Sequence, residues 1–100
     1  MVLERNYQRN LIQKLRRLHP DWIIFKNDAN YLQGIPDWTA LANGRYALFD
    51  VKKAEDAEHQ PNQDWYISNA NETGAFGMFV YPENEEEFLD EIQRALGTTR

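Results

Sequence analysis

The sequence predicts an α/β domain, a mixed sheet flanked by helices in the order α-β-β-β-α-β-α. Three observations carry this. Residues 3–18 and the stretch following Asn84 repeat apolar residues at helical spacing. Short apolar runs of strand length, 22–27 and 76–81, lie between polar segments. Asn43-Gly44 sits between two strand-like arms, the strongest short signal for a two-residue hairpin turn.

In residues 3–18 the apolar side chains are Leu3, Tyr7, Leu11, Leu15 and Leu18. At about 100° per residue they form one arc, and Glu4 falls inside it while Arg5, Arg9 and Arg16 fall opposite. A carboxylate on a buried helix face is costly unless it is paired or binds metal. A first-turn acid that favours the helix dipole is the other reading of Glu4. His19-Pro20 ends the helix, because the residue before proline is driven out of the helical region. Residues 22–27 are expected as a buried strand. Lys26 at its end is either a substrate contact or a lysine laid along apolar surface. Residues 28–33 are polar and expected as a loop. Gly34 permits close approach of a ligand or simply turns the chain.

The hairpin register follows from the turn. Ala42 faces Arg45, Ala40 faces Ala47, Trp38 faces Phe49 and Asp37 faces Asp50. Directly opposed residues have Cβ atoms roughly 4.5–5.5 Å apart, so Asp37 and Asp50 would repel unless a cation lies between them. Lys52 projects from the same face as Asp50. The opposite face carries Trp38, Ala40, Ala47, Phe49 and Val51, a core-type surface. Two acids so placed suit a hard divalent cation, and a neighbouring lysine can orient water or steady negative charge. An ordinary turn aspartate and a solvated hairpin edge are the plainer reading.

Residues 54–61 are polar and acidic and are expected as a mobile loop, with His59 a surface residue. The next helix starts at Pro61-Asn62-Gln63, with Asn62 as its cap and Gln63 in its first turn. It carries Trp65, Tyr66 and Ile67 and closes at Gly74. Residues 76–81 form the last strand, ended by Pro82. Asn84 caps the final helix, whose first turn holds Glu85, Glu86 and Glu87. Phe88, Leu89, Ile92 and Leu96 are its buried stripe and Gly97 its end.

One hundred residues with 42% hydrophobic side chains make one domain, 1–100, with a packed core. No apolar run is long enough to span a membrane, and the first residues lack the pattern of a secretion signal. The absence of cysteine excludes disulfides and thiolate metal sites and makes an intracellular, cytoplasmic setting the expectation. The net charge of −5 is unevenly spread: residues 1–27 carry +4 and residues 54–100 carry −9. The basic segment can face phosphates while the acidic part points away.

The element order, together with Glu4, Gly34-Ile35-Pro36-Asp37, Asp50-Val51-Lys52 and Gln63, resembles the PD-(D/E)XK nuclease superfamily. It looks most like the small stand-alone VRR-NUC nucleases, which are similar to archaeal-type Holliday junction resolvases. The resemblance covers nearly the whole chain. It implies a restriction-endonuclease-like core and a DNA endonuclease that uses Mg²⁺ or Mn²⁺ in a bacterial or phage-host cytoplasm. It implies Asp37 as principal metal ligand, Asp50 as second acid, the carbonyl of Val51 and Glu4 as further metal contacts, Lys52 as motif lysine and Gln63 as supporting glutamine. Aspartate at position 50 departs from the glutamate usual in VRR-NUC proteins. The resemblance also implies a homodimer. Arg5, Arg9, Arg16 and Lys26 are candidate DNA-backbone contacts. No element suits base reading, so branched DNA is the expected substrate. An inactive nuclease-fold binding module and an acidic regulatory protein are the rival classes.

Overall fold

A computed structural model describes residues 4–97. The elements run α1 (Glu4–Leu18), β1 (Ile23–Lys26), β2 (Trp38–Ala42), β3 (Arg45–Val51), α2 (Gln63–Glu72), β4 (Phe76–Val80) and α3 (Glu85–Leu96), with a 3-10 turn at Pro82–Asn84. This is the expected order. The four strands lie in one sheet in the order β1-β2-β3-β4. Both β1-β2 and β2-β3 are antiparallel, and β3-β4 is parallel. A parallel neighbour needs a crossover, and the segment containing α2 supplies it.

The hairpin has the register its turn dictates: Ala42 pairs with Arg45, Ala40 with Ala47 and Trp38 with Phe49. Asn43 and Gly44 both take positive φ, as a type I′ turn requires. The Asn43 side-chain amide donates to the carbonyl oxygens of Leu96 and Gly97, which ties the turn to the end of α3.

One sheet face, bearing Ile24, Ala40, Ala47, Phe49, Val51 and Val80, packs against α1 and α3 through Leu11, Ile12, Leu15, Phe88, Ile92 and Leu96. Phe49 and Phe88 meet at a centroid distance of 5.0 Å. The other face is covered by α2 only beside β3 and β4. Gly77 makes that packing possible, because a Cβ there would lie 2.6 Å from the Ile67 carbonyl oxygen. The Asn71 amide clamps the same strand by donating to the Gly77 oxygen and accepting from its N–H.

Several local expectations are corrected. Strand β1 is an edge rather than a buried strand: only Ile24 is buried, and Ile23 and Phe25 are 60% and 42% exposed. Among the described residues no helix covers the outer face beside β1, so its apolar composition did not determine its burial. In α1 the buried set is Gln8, Leu11, Ile12 and Leu15, and Leu18 is 55% exposed at the helix end. The buried arc is therefore turned toward Ile12 from the one expected, and Leu3 lies outside the described residues. Asn62 is in the left-handed region and its side chain makes no capping bond. Asn84 does not cap α3 either. Its amide turns back to accept from the Tyr81 N–H and donate to the Phe79 oxygen, which closes the end of β4. His59 is not a free surface residue, for its ring stacks on Phe79 at 3.9 Å and its Nδ1 lies 2.9 Å from Asp64.

Candidate active site

The hairpin parity places Asp50 and Lys52 on the α2 side of the sheet, at the end of β3. Gln63 is the first residue of α2 and reaches the same point. The three side chains form a closed buried set, with exposures of 1%, 7% and 4% for Asp50, Lys52 and Gln63. Lys52 Nζ lies 3.0 Å from Asp50 Oδ2 and donates to Gln63 Oε1 at 3.0 Å. Gln63 Nε2 donates to Asp50 Oδ1 at 3.1 Å, and the Gln60 N–H donates to Gln63 Oε1 at 2.8 Å. Lysine and backbone N–H only donate and a carboxylate only accepts, so the orientation of the Gln63 amide is fixed. These residues do not form a solvated hairpin edge.

Asp37 stands one residue before β2. Its N–H donates to Asp50 Oδ1 at 2.8 Å and its carbonyl oxygen accepts from the Asn27 N–H at 2.7 Å. The expected opposition of Asp37 and Asp50 is thus made by a backbone donor on one carboxylate. The Asp37 side chain itself is half-buried and has no hydrogen bond or ion pair among the described residues. Burial pushes its carboxyl above the usual range, and the Asp50 charge adds to this. Lys26 and Lys52 oppose the shift, and Glu4 weakly reinforces it.

Two loops hold Asp37 in place. The Asn27 amide donates to the Pro36 oxygen at 2.8 Å. Gly34 has φ +86°, and a Cβ there would collide with the Pro61 oxygen and come within 2.5 Å of Asn62 Cβ. The missing side chain lets the segment before Asp37 lie against the entry to α2, so the approach that glycine permits is by protein backbone.

Glu4 is exposed in the first turn of α1, not buried as its helical position suggested. It borders a cavity of about 550 Å³ together with Arg5, Gln8, Lys26 and Asp37. Lys26 Nζ donates to Gln8 Oε1 at 3.0 Å and lies 5.6 Å from the centre of the Trp38 ring. Arg9 is exposed and donates to Asn6 at 3.3 Å. Arg16 spends one donor on the Ile24 oxygen at 2.7 Å. Val51 lies between Asp50 and Lys52 with its side chain fully buried in the core.

No known protein family, curated protein or solved structure matches the chain. Among the described residues no three His, Cys, Asp or Glu groups converge on a point that could hold a metal ion. Two carboxylates do adjoin. A divalent cation is what a half-buried, donor-free carboxylate beside a second one accommodates, and Mg²⁺ is commonly held by one or two carboxylates with water completing the octahedron. Asp37 keeps both side-chain oxygens free for such an ion, while three contacts on the buried Asp50 leave it at most one lone pair. Sequence reasoning missed Gln8 and Asn27. The signal for Gln8 was available: it lies at about 140° on the α1 wheel, between Leu11 at about 80° and Ile12 at about 180°.

Among the described residues no helix is long and apolar enough to cross a membrane.

Proposed function

We propose that this chain is a divalent-metal-dependent DNA endonuclease, using Mg²⁺ or Mn²⁺ to hydrolyse phosphodiester bonds, with a restriction-endonuclease-like core of the VRR-NUC kind. The observation that carries the reading is the Asp37 carboxylate, half-buried and without a protein donor, joined through its own backbone to the buried Asp50–Lys52–Gln63 set. Asp37 and Asp50 would hold the cation, with the Val51 carbonyl and Glu4 as further ligands or contacts to its waters. A cation bound there supplies a water of lowered pKa and polarises the scissile phosphate. Lys52 has two of its three donors directed to Asp50 and Gln63, so its third is free to face the attacking water or the charge that grows on the phosphate. Gln63 fixes the position of Lys52. Branched DNA such as a Holliday junction is the proposed substrate, as the resemblance to resolvases implies, and a homodimer is part of the proposal. A monomer in sedimentation would remove the dimer.

The closed bonding of Asp50, Lys52 and Gln63 favours a second reading, a nuclease-fold module that binds DNA or protein without cutting. Cleavage of a labelled four-way junction separates the two, run beside linear, flap and single-stranded DNA in Mg²⁺, Mn²⁺ or EDTA. Metal-dependent cuts that vanish in Asp37→Ala support the nuclease. Absence of cutting, with no calorimetric Mn²⁺ binding, supports the module.

A further inference from the structure

Between α1 and strands β1 and β2 the 550 Å³ cavity adjoins a second of about 350 Å³, and both are lined by Gln8 and Lys26. The second cavity adds Arg9, Arg16 and Trp38 to the wall. The two form one groove that starts at Asp37 and follows α1. From Arg5 to Arg16 the helix axis advances about 16 Å. That is room for about five phosphates of one strand at 3.4 Å spacing.

Gln8 sits at the join. It is 8% exposed, a polar side chain in a position otherwise suited to core. Its Oε1 accepts from Lys26 Nζ at 3.0 Å and from Trp38 Nε1 at 2.9 Å. Both partners can only donate, so the oxygen must face them and the orientation of the amide is settled. Its Nε2 has no acceptor among the described residues, while the residue lines both halves of the groove. An oriented donor that opens to the groove is therefore left on an otherwise buried residue, in a wall that carries four cations and, at its Asp37 end, the carboxylates of Glu4 and Asp37. Across the sheet margin the charge is opposite. Burial, reinforced by Glu55, Glu87 and Glu83, raises the Tyr81 phenol above its ordinary value.

We infer that this groove holds a nucleic-acid strand by its phosphodiester backbone, on the α1 side of Asp37 only. Arg5, Arg9, Arg16 and Lys26 neutralise phosphates, and Gln8 Nε2 gives a neutral hydrogen bond to a phosphate oxygen. The acidic margin beyond β4 leaves the strand unheld on the other side. This deepens the nuclease reading and rests on it for the place of the scissile phosphate.

The test is fluorescence anisotropy of a labelled oligothymidylate and of a labelled duplex, titrated against NaCl in EDTA so that cutting plays no part. Four phosphate contacts give a slope of log Kobs against log salt of about −3 for a single strand and about −3.6 for a duplex. Arg9→Ala and Lys26→Ala each reduce that slope by about 0.7 to 0.9. Arg94→Ala, an exposed cation on α3 away from the groove, leaves it unchanged. Gln8→Glu keeps the acceptors for Trp38 and Lys26 but loses the donor, and it weakens binding at least about tenfold. Binding of either nucleic acid with these slopes supports the groove, and the tighter form identifies what occupies it. A wild-type slope near zero overturns the inference. So do Arg9 and Lys26 variants that behave like Arg94→Ala. The expected slopes without metal-dependent cleavage of any substrate would support the groove and sink the nuclease reading alone.

Discussion

Lys52→Met tests whether the Asp50–Lys52–Gln63 set is held as one unit. The substitution keeps a long, unbranched side chain but removes the only ion-pair partner that Asp50, a carboxylate 1% exposed, has among the described residues. Asp50 Oδ1 would retain the Asp37 N–H and the Gln63 amide, while Oδ2 would lose its 3.0 Å contact. Removing one member of a buried ion pair costs about 3–5 kcal/mol, because the remaining charge cannot return to water. A domain of this size loses about 4–8 °C of Tm per kcal/mol. A loss of 3 kcal/mol therefore lowers Tm by about 12–24 °C. The assay is urea and thermal unfolding, followed by the fluorescence of Trp22, Trp38 and Trp65. Asp50→Asn in the same background removes the stranded charge and should recover most of the loss. Lys52→Met within about 0.5 kcal/mol of wild type would refute the argument. So would a double variant no more stable than Lys52→Met. The result also governs how activity data are read, since lost cleavage in a Lys52 variant that has partly unfolded says nothing about catalysis.

Asp37→Asn should act in the opposite direction on stability. The folded state raises the Asp37 carboxyl above its unfolded value, mainly by burial. The folded chain thus binds more protons in the window between the two values, and stability falls as pH rises through that window. Above it the ionised side chain is a net burden, so Asp37→Asn raises Tm at neutral pH without metal while abolishing calorimetric Mn²⁺ binding. A lower Tm, or Mn²⁺ binding that survives, would contradict this account. Gly34→Ala forces a side chain into a positive-φ site already occupied by the Pro61 and Asn62 backbone. The backbone strain alone costs about 1–3 kcal/mol. Hydrogen exchange should quicken at the Gln63 N–H, which donates to the Gln60 oxygen at the entry to α2. Unchanged exchange there would show that the two segments are not coupled.

Much of the hairpin was legible because a two-residue Asn-Gly loop leaves no freedom in register. The turn dictated which of Trp38, Ala40, Ala47, Phe49 and Val51 share a face, and that same parity put Asp50 and Lys52 together. The element order was legible as well, since helical and strand periodicities differ and Pro20, Gly74 and Pro82 punctuate them. Burial was less so. Residues 22–27 read as core because they are apolar, yet β1 lies at the sheet edge, where no helix among the described residues covers its outer face. Glu4 and Leu18 fell on the apolar arc of their helix but sit at its two ends, where the sheet no longer covers them.

The sequence by itself determined the secondary elements, the pairing of the hairpin and the segregation of basic and acidic charge. These depend on local backbone preference and on counting. Only the tertiary structure decided that Gln63 closes on Asp50 and Lys52, that Gly34 is filled by the entry to α2, and that Gln8 turns an unpartnered donor toward a cation-lined groove. Each of those joins residues distant along the chain, and each depends on how helices seat on a sheet, which side-chain periodicity alone does not set.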